Sequence, residues 1–188
     1  QVAGLPRLHV GVNLSARQFH QQSLMRSIAR ILEETGLNPR YLDLELTEST
    51  VMIDSEAATE TLKELKSKGI QISIDDFGTG YSSLNRLKRF PITSLKIDKS
   101  FVRDCLTDPD DAAIVAAIIS LAHSMNLRVI AEGVELKGQL EFLRSLKCDA
   151  AQGSIVGVPL TADAFSEMMM RLAHGKAWRF TPLQMDNK

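Results

Sequence analysis

The stretch SIDDFGTGYSSL, residues 73–84, sets Asp75 beside Asp76 between an apolar run and a glycine-framed turn. Adjacent carboxylates repel each other, and no basic residue close in sequence neutralises both, so the pair calls for a cation. A plainer account makes them solvated turn residues that cap the next helix. Further polar residues stand at the ends of other apolar runs: Asn13, Glu45, Lys96 with Asp98, Glu132 with Glu135, and Gln152. Singly, each has an ordinary structural use. Gathered at one place, four or five carboxylates are untenable without compensating cations. Carboxylates plus an amide oxygen suit a hard divalent ion, Mg²⁺ or Mn²⁺, rather than zinc. There is no H-E-x-x-H pattern, and His9, His20, His123 and His174 sit in no ligand spacing. Two ions ~3.5–4 Å apart would activate a bridging water and stabilise both oxygens of a phosphodiester displacement. An interior lysine such as Lys96 could hydrogen-bond that water. The residues alone lead to metal-dependent hydrolysis of a phosphate ester.

Positioning these residues needs a regular scaffold, and one alternation runs along nearly the whole chain. Strands are predicted at 8–15, 41–49, 70–76, 94–98, 128–133 and 149–153. Between them lie helical patterns: one from Ser15 to Gly36, one over 55–68, a short one at 82–89, a long one opening DPDD at 108–111, and one at 136–146. A last helix, ADAFSEMMMRLAHG, precedes a polar tail. Strand and helix therefore alternate about six times with short connections, which implies parallel strands and crossover helices. A doubly wound sheet and a (β/α)8 barrel both satisfy this. No G-x-G-x-x-G or Walker-type loop follows any strand, and polar residues sit at the ends of many strands, as in a barrel whose site gathers at one face. The expected fold is thus an α/β, (β/α)8 TIM-type barrel. One domain is expected over residues 1–175, with a tail at 176–188.

Bulk properties narrow the partners. With 22 basic and 23 acidic residues the net charge is -1, so there is no footprint for bulk nucleic acid or an anionic membrane surface. No apolar run is long enough to span a bilayer. Cys105 and Cys148 form no C-x-x-C pair and read as reduced thiols, consistent with a cytoplasmic setting.

The ordered set VNLSARQF, LELTES, IDDFGTGYSSL, LKIDKSFV, VIAEGVE and AAQG resembles the EAL domain family over nearly the whole chain. The resemblance implies a (β/α)8-barrel phosphodiesterase that linearises cyclic di-GMP to pGpG with two Mg²⁺ or Mn²⁺ ions, calcium being inhibitory. It implies metal ligation by Asn13, Glu45, Asp75, Asp76 and Glu132, with Lys96 contacting the nucleophilic water. Glu132 is an alternative general base, ranked below its role as ligand. Gln152 would meet the reacting phosphate, with Pro159 beside the substrate, and Glu135 would support the site. The turn Gly78, Thr79, Gly80, Tyr81 resembles the loop that couples metal binding to a homodimer partner, held by Glu48. The implied parent carries sensory or GGDEF domains and can be membrane-anchored through them.

Two departures from the family pattern stand out. The Glu-Ala-Leu motif itself, whose glutamate is a metal ligand, does not occur. The reading is therefore a barrel lacking its first two strands, with impaired turnover and either pairing between chains at the open edges or rearrangement near the termini. The segment QGSIVGVPL, residues 152–160, also places Ser154, Val156 and Val158 where the family has two aromatics and a basic residue. The competing reading is a non-catalytic EAL-like module that binds cyclic di-GMP or a protein. An unrelated Mg²⁺-dependent barrel enzyme is the remote third.

Overall fold

The computed structural model describes residues 8–52, 55–80 and 84–173, so Tyr81 and the expected tail at 176–188 lie outside the described residues. Six strands run in order: β1 (Val10–Asn13), β2 (Leu42–Thr47), β3 (Gln71–Phe77), β4 (Ser94–Ile97), β5 (Arg128–Ala131) and β6 (Ala150–Ala151). Each pairs in parallel with the next, so sheet order follows chain order. The helices are α1 (Ala16–Phe19), α2 (Leu24–Thr35), α3 (Glu48–Met52), α4 (Ser55–Ser67), α5 (Leu84–Leu87), α6 (Lys99–Asp104), α7 (Pro109–Ser124), α8 (Lys137–Ser145) and α9 (Ala162–Ala173). The expected α/β alternation is present, and the six strands curl into part of a barrel.

Local chemistry explains the main elements. Along β2 burial alternates, with Leu42, Leu44 and Leu46 buried and Asp43, Glu45 and Thr47 half-buried. The leucines join the apolar layer under the helices, while the polar set faces the concave side. α2 buries Leu24 and Ile28 and stops at Gly36, whose φ of 65° makes the left-handed cap. α7 starts with Pro109 behind Asp108, whose side chain accepts from the Asp110 N–H, and it buries Val115, Ile118, Ile119 and Ala122.

Several boundaries differ from expectation, the strands at 8–15, 128–133 and 149–153 being shorter than expected. The helix read from Ser15 to Gly36 is broken into α1 and α2, with Ser15 and Gln18 forming a capping box at its start. The strand expected to reach residue 49 ends at Thr47, where α3 begins, and the sequence after Asp98 forms α6. Helices of four to six residues have too few turns to display a periodicity and are held by tertiary packing.

Among the described residues β1 is an edge strand. Val10 and Val12 stand opposite the buried Leu42 and Leu44 in register, yet are 47% and 42% exposed. With Leu24, Ile28 and Ile31 of α2 they line an apolar groove of about 770 Å³.

Candidate metal centre

Successive side chains of a regular strand point to opposite faces, so Asp75 and Asp76 should diverge. The β3–β4 register shifts between Ile74 and Phe77, and Asp76 takes a left-handed φ of 53°. Such a bulge re-aims a side chain, and aspartate is among the few residues that tolerate this conformation. As a result Asp75, Asp76 and Glu132 each offer an oxygen within 4.8 Å of the others. The Asp76 N–H donates to Asp75 Oδ1 at 3.1 Å.

Lys96 sits at the centre with its side chain only 4% exposed. Its ammonium lies 2.6 Å from Glu45 Oε2, 2.7 Å from Glu132 Oε1 and 3.3 Å from Asp75 Oδ1. Thus β2, β3, β4 and the end of β5 meet in one cluster. Burial alone would lower the Lys96 pKa, but hydrogen bonds to Glu132 and Glu45 hold it above the ordinary lysine range. Burial raises Glu132 despite Lys96, and raises Asp76 with the help of the Asp75 charge. Asp98 goes the other way: burial opposes its charge, but donors from Ser100 outweigh that and lower it. One ammonium leaves negative charge in excess. An all-oxygen set of closely spaced carboxylates fits a hard divalent cation.

Around this centre the other expected residues fall as follows. Asn13 ends β1 in register with Glu45, at the same mouth. Gln152 is exposed, and its backbone is fixed by Gln152 N–H to Ala131 O at 2.8 Å and Val134 N–H to Gln152 O at 3.0 Å. Glu135 and Pro159 are exposed. Glu48, 3% exposed, accepts from the Gly78 N–H at 3.2 Å, and its Oε1 lies 2.7 Å from where a Gly80 Cβ would stand. Thr79 Oγ1 donates to Asp76 O at 2.8 Å, tying that turn to the aspartate pair.

Two features were not anticipated. Gly11 leaves room for Glu45: a Cβ there would collide with Glu45 Oε1 and stand 3.2 Å from its Cδ. An isolated glycine inside a strand is the available sequence signal for such close approach. Beneath the mouth, Ser73 Oγ donates to Asp43 Oδ2 at 2.7 Å and shares a 2.7 Å bond with Ser94 Oγ, while Asp43 Oδ1 is buried without a hydrogen-bond partner among the described residues. Burial raises the Asp43 pKa more than the Ser73 donor lowers it. No periodicity distinguishes these small interior residues from surface ones.

The family model of the EAL domain matches residues 1–159. The bifunctional diguanylate cyclase/cyclic di-GMP phosphodiesterase MucR of Pseudomonas aeruginosa is 48% identical over 155 residues, 82% of this chain and 23% of its own length. The solved PaMucR phosphodiesterase, in its c-di-GMP complex, superposes with a TM-score of 0.82 at 48% identity, covering 84% of this chain and 64% of that one. Klebsiella pneumoniae BlrP1, in a manganese/cy-diGMP complex, gives a TM-score of 0.72 at 31% identity, covering 78% of this chain and 38% of that one. Its calcium/cy-diGMP complex gives 0.71 at 32%, covering 77% and 37%. A parallel α/β fold of barrel type with an acidic cluster at its strand ends defines the class. This chain belongs to the EAL domain family. It spans about a quarter of the length of the curated relatives it matches, and no helix among the described residues is long and apolar enough to cross a membrane.

Proposed function

We propose that the chain is the larger part of a cyclic di-GMP phosphodiesterase domain, producing linear pGpG. The observation that carries this reading is the convergence of Asp75, Asp76 and Glu132 oxygens within 4.8 Å, with Lys96 bridging Glu45, Asp75 and Glu132. Asn13, Glu45, Asp75, Asp76 and Glu132 would hold two Mg²⁺ or Mn²⁺ ions. Such ions, when bound, neutralise phosphate charge and make a water acidic enough to act as nucleophile near neutral pH. Lys96 holds Glu45, Asp75 and Glu132 together and would donate to an attacking water. Gln152, exposed just after β6, would hydrogen-bond the phosphate, with Pro159 beside the substrate. Glu135 supports the site from the segment after Glu132. Glu48 fixes the turn at Gly78, Thr79 and Gly80, which with Tyr81 would couple the centre to a second copy. That copy pairs either there, as a homodimer, or along the open β1 edge. A strictly monomeric species in sedimentation counts against both surfaces.

The test is Mn²⁺-dependent formation of pGpG from cyclic di-GMP, by this chain and by one carrying the Glu-Ala-Leu strand upstream. Weak turnover by this chain and strong turnover by the longer one are expected, both abolished by Asp75→Ala with Asp76→Ala. Turnover that survives the double substitution contradicts the reading. A binding module without turnover is the second reading, favoured by Ile155 and Val156, which stand 44% and 57% exposed in QGSIVGVPL. Binding of cyclic di-GMP with no pGpG, even by the longer chain, would establish it.

A further inference from the structure

Gln139 is 2% exposed and uses its whole amide. Its Oε1 accepts from the backbone N–H groups of Glu135 at 2.9 Å and Leu136 at 2.8 Å. Its Nε2 donates to the carbonyls of Val102 at 3.0 Å and Arg103 at 3.1 Å. Two N–H groups on one side and two carbonyls on the other fix the orientation of the amide. The partners are end groups of two helices. Leu136 is the N-cap of α8, with Gln139 at its third position, while Val102 and Arg103 belong to the last turn of α6. One side chain therefore fastens the end of α6 to the start of α8.

Both helices lead into the carboxylate cluster. α8 follows segment 132–136, which begins with Glu132. Within it Gly133 has a φ of 67°, and a Cβ there would lie 2.6 Å from Lys99 Cβ, so the segment rests on the first turn of α6. α6 opens at Asp98, whose carboxylate accepts from the Ser100 N–H at 2.9 Å. Its Phe101 stands 2.9 Å from where a Gly78 Cβ would be. α6 is thus wedged between the turn after Asp76 and the segment carrying Glu132.

We propose that Gln139 is a positioning residue: by locking α6 to segment 132–136 it sets the separation of Glu132 from the Asp75–Asp76 pair, and hence the cation affinity of the cluster. This inference rests on the metal-centre reading above. A buried glutamine that only stabilises the fold would cost stability without a selective change in ion binding.

The experiment is an electron paramagnetic resonance titration of free Mn²⁺ with the full chain, below the unfolding range. It compares wild type with Gln139→Glu, Leu143→Ala and Asp75→Asn. Gln139→Glu keeps an acceptor for the two N–H groups but turns an oxygen toward the Val102 and Arg103 carbonyls. Leu143, 1% exposed on the same helix, supplies a loss of packing alone. Expected is a rise in Mn²⁺ Kd of about tenfold or more for Gln139→Glu, and less than about twofold for Leu143→Ala. If Gln139→Glu does not fold, Gln139→Asn, one methylene shorter, carries the comparison with an expected loss of at least ~3-fold. Unchanged affinity in the Gln139 variants, or an equal loss in Leu143→Ala, overturns the positioning role and leaves the metal centre standing. Wild-type binding by Asp75→Asn overturns the metal centre and this inference together.

Discussion

At the scale of single residues, the Asp76 charge costs the ion-free protein stability. Burial and the Asp75 charge raise the folded-state pKa of Asp76 above its ordinary value of 3.8. A carboxyl raised on folding favours the fold while it is protonated, below its unfolded pKa, and loses that contribution as pH rises through its folded pKa. At neutral pH ionised Asp76 therefore works against folding. Asp76→Asn removes this charge while keeping a residue type that accepts the left-handed backbone. The ion-free variant is expected to melt higher than wild type at pH 7, with the difference closing as pH falls below 3.8. The same substitution should weaken Mn²⁺ binding. Thermal melts across pH with a chelator present check the first expectation. A variant that melts lower at pH 7 would mean that Asp76 is a structural cap.

At the scale of elements, the site depends on how strands approach one another. Gly11 shows this most directly, because Glu45 Oε1 occupies the space a Cβ would need. Gly11→Ala should push Glu45 off Lys96 and cost about 1–3 kcal/mol in urea unfolding, with Mn²⁺ affinity falling alongside. A neutral result would show that Glu45 has room to spare. Much of this scale was legible in the sequence. Alternation in LDLELT located β2 and its inward carboxylate, and Gly36 marked the end of α2. The acidic pair after IQIS was visible as a candidate, but its shared aim was not. That depends on the β3 bulge and the left-handed Asp76, and an alternating strand would have split the pair. The cross-link by Gln139 was equally hidden, since a glutamine at a helix start gives no sign of a partner ~37 residues upstream in the chain. Short helices such as α3 and α6 were missed because four to six residues carry no period.

At the scale of the whole molecule, the six-strand sheet is enough to bring every described candidate ligand to one mouth, from Asn13 on β1 to Glu132 after β5. It also leaves Val10 and Val12 on an apolar edge beside α2, where a parallel sheet would ordinarily be covered. Asn13 ends this edge strand in register with Glu45 of the ionic centre, one strand away. Every role proposed for the site requires this constellation to bind divalent ions. Isothermal titration of Mn²⁺ into the chain, beside Asp75→Asn with Asp76→Asn, measures that directly. Saturable binding by the wild type that the paired substitution removes is the predicted result. Absence of saturable wild-type binding, or identical heats from both proteins, would contradict it.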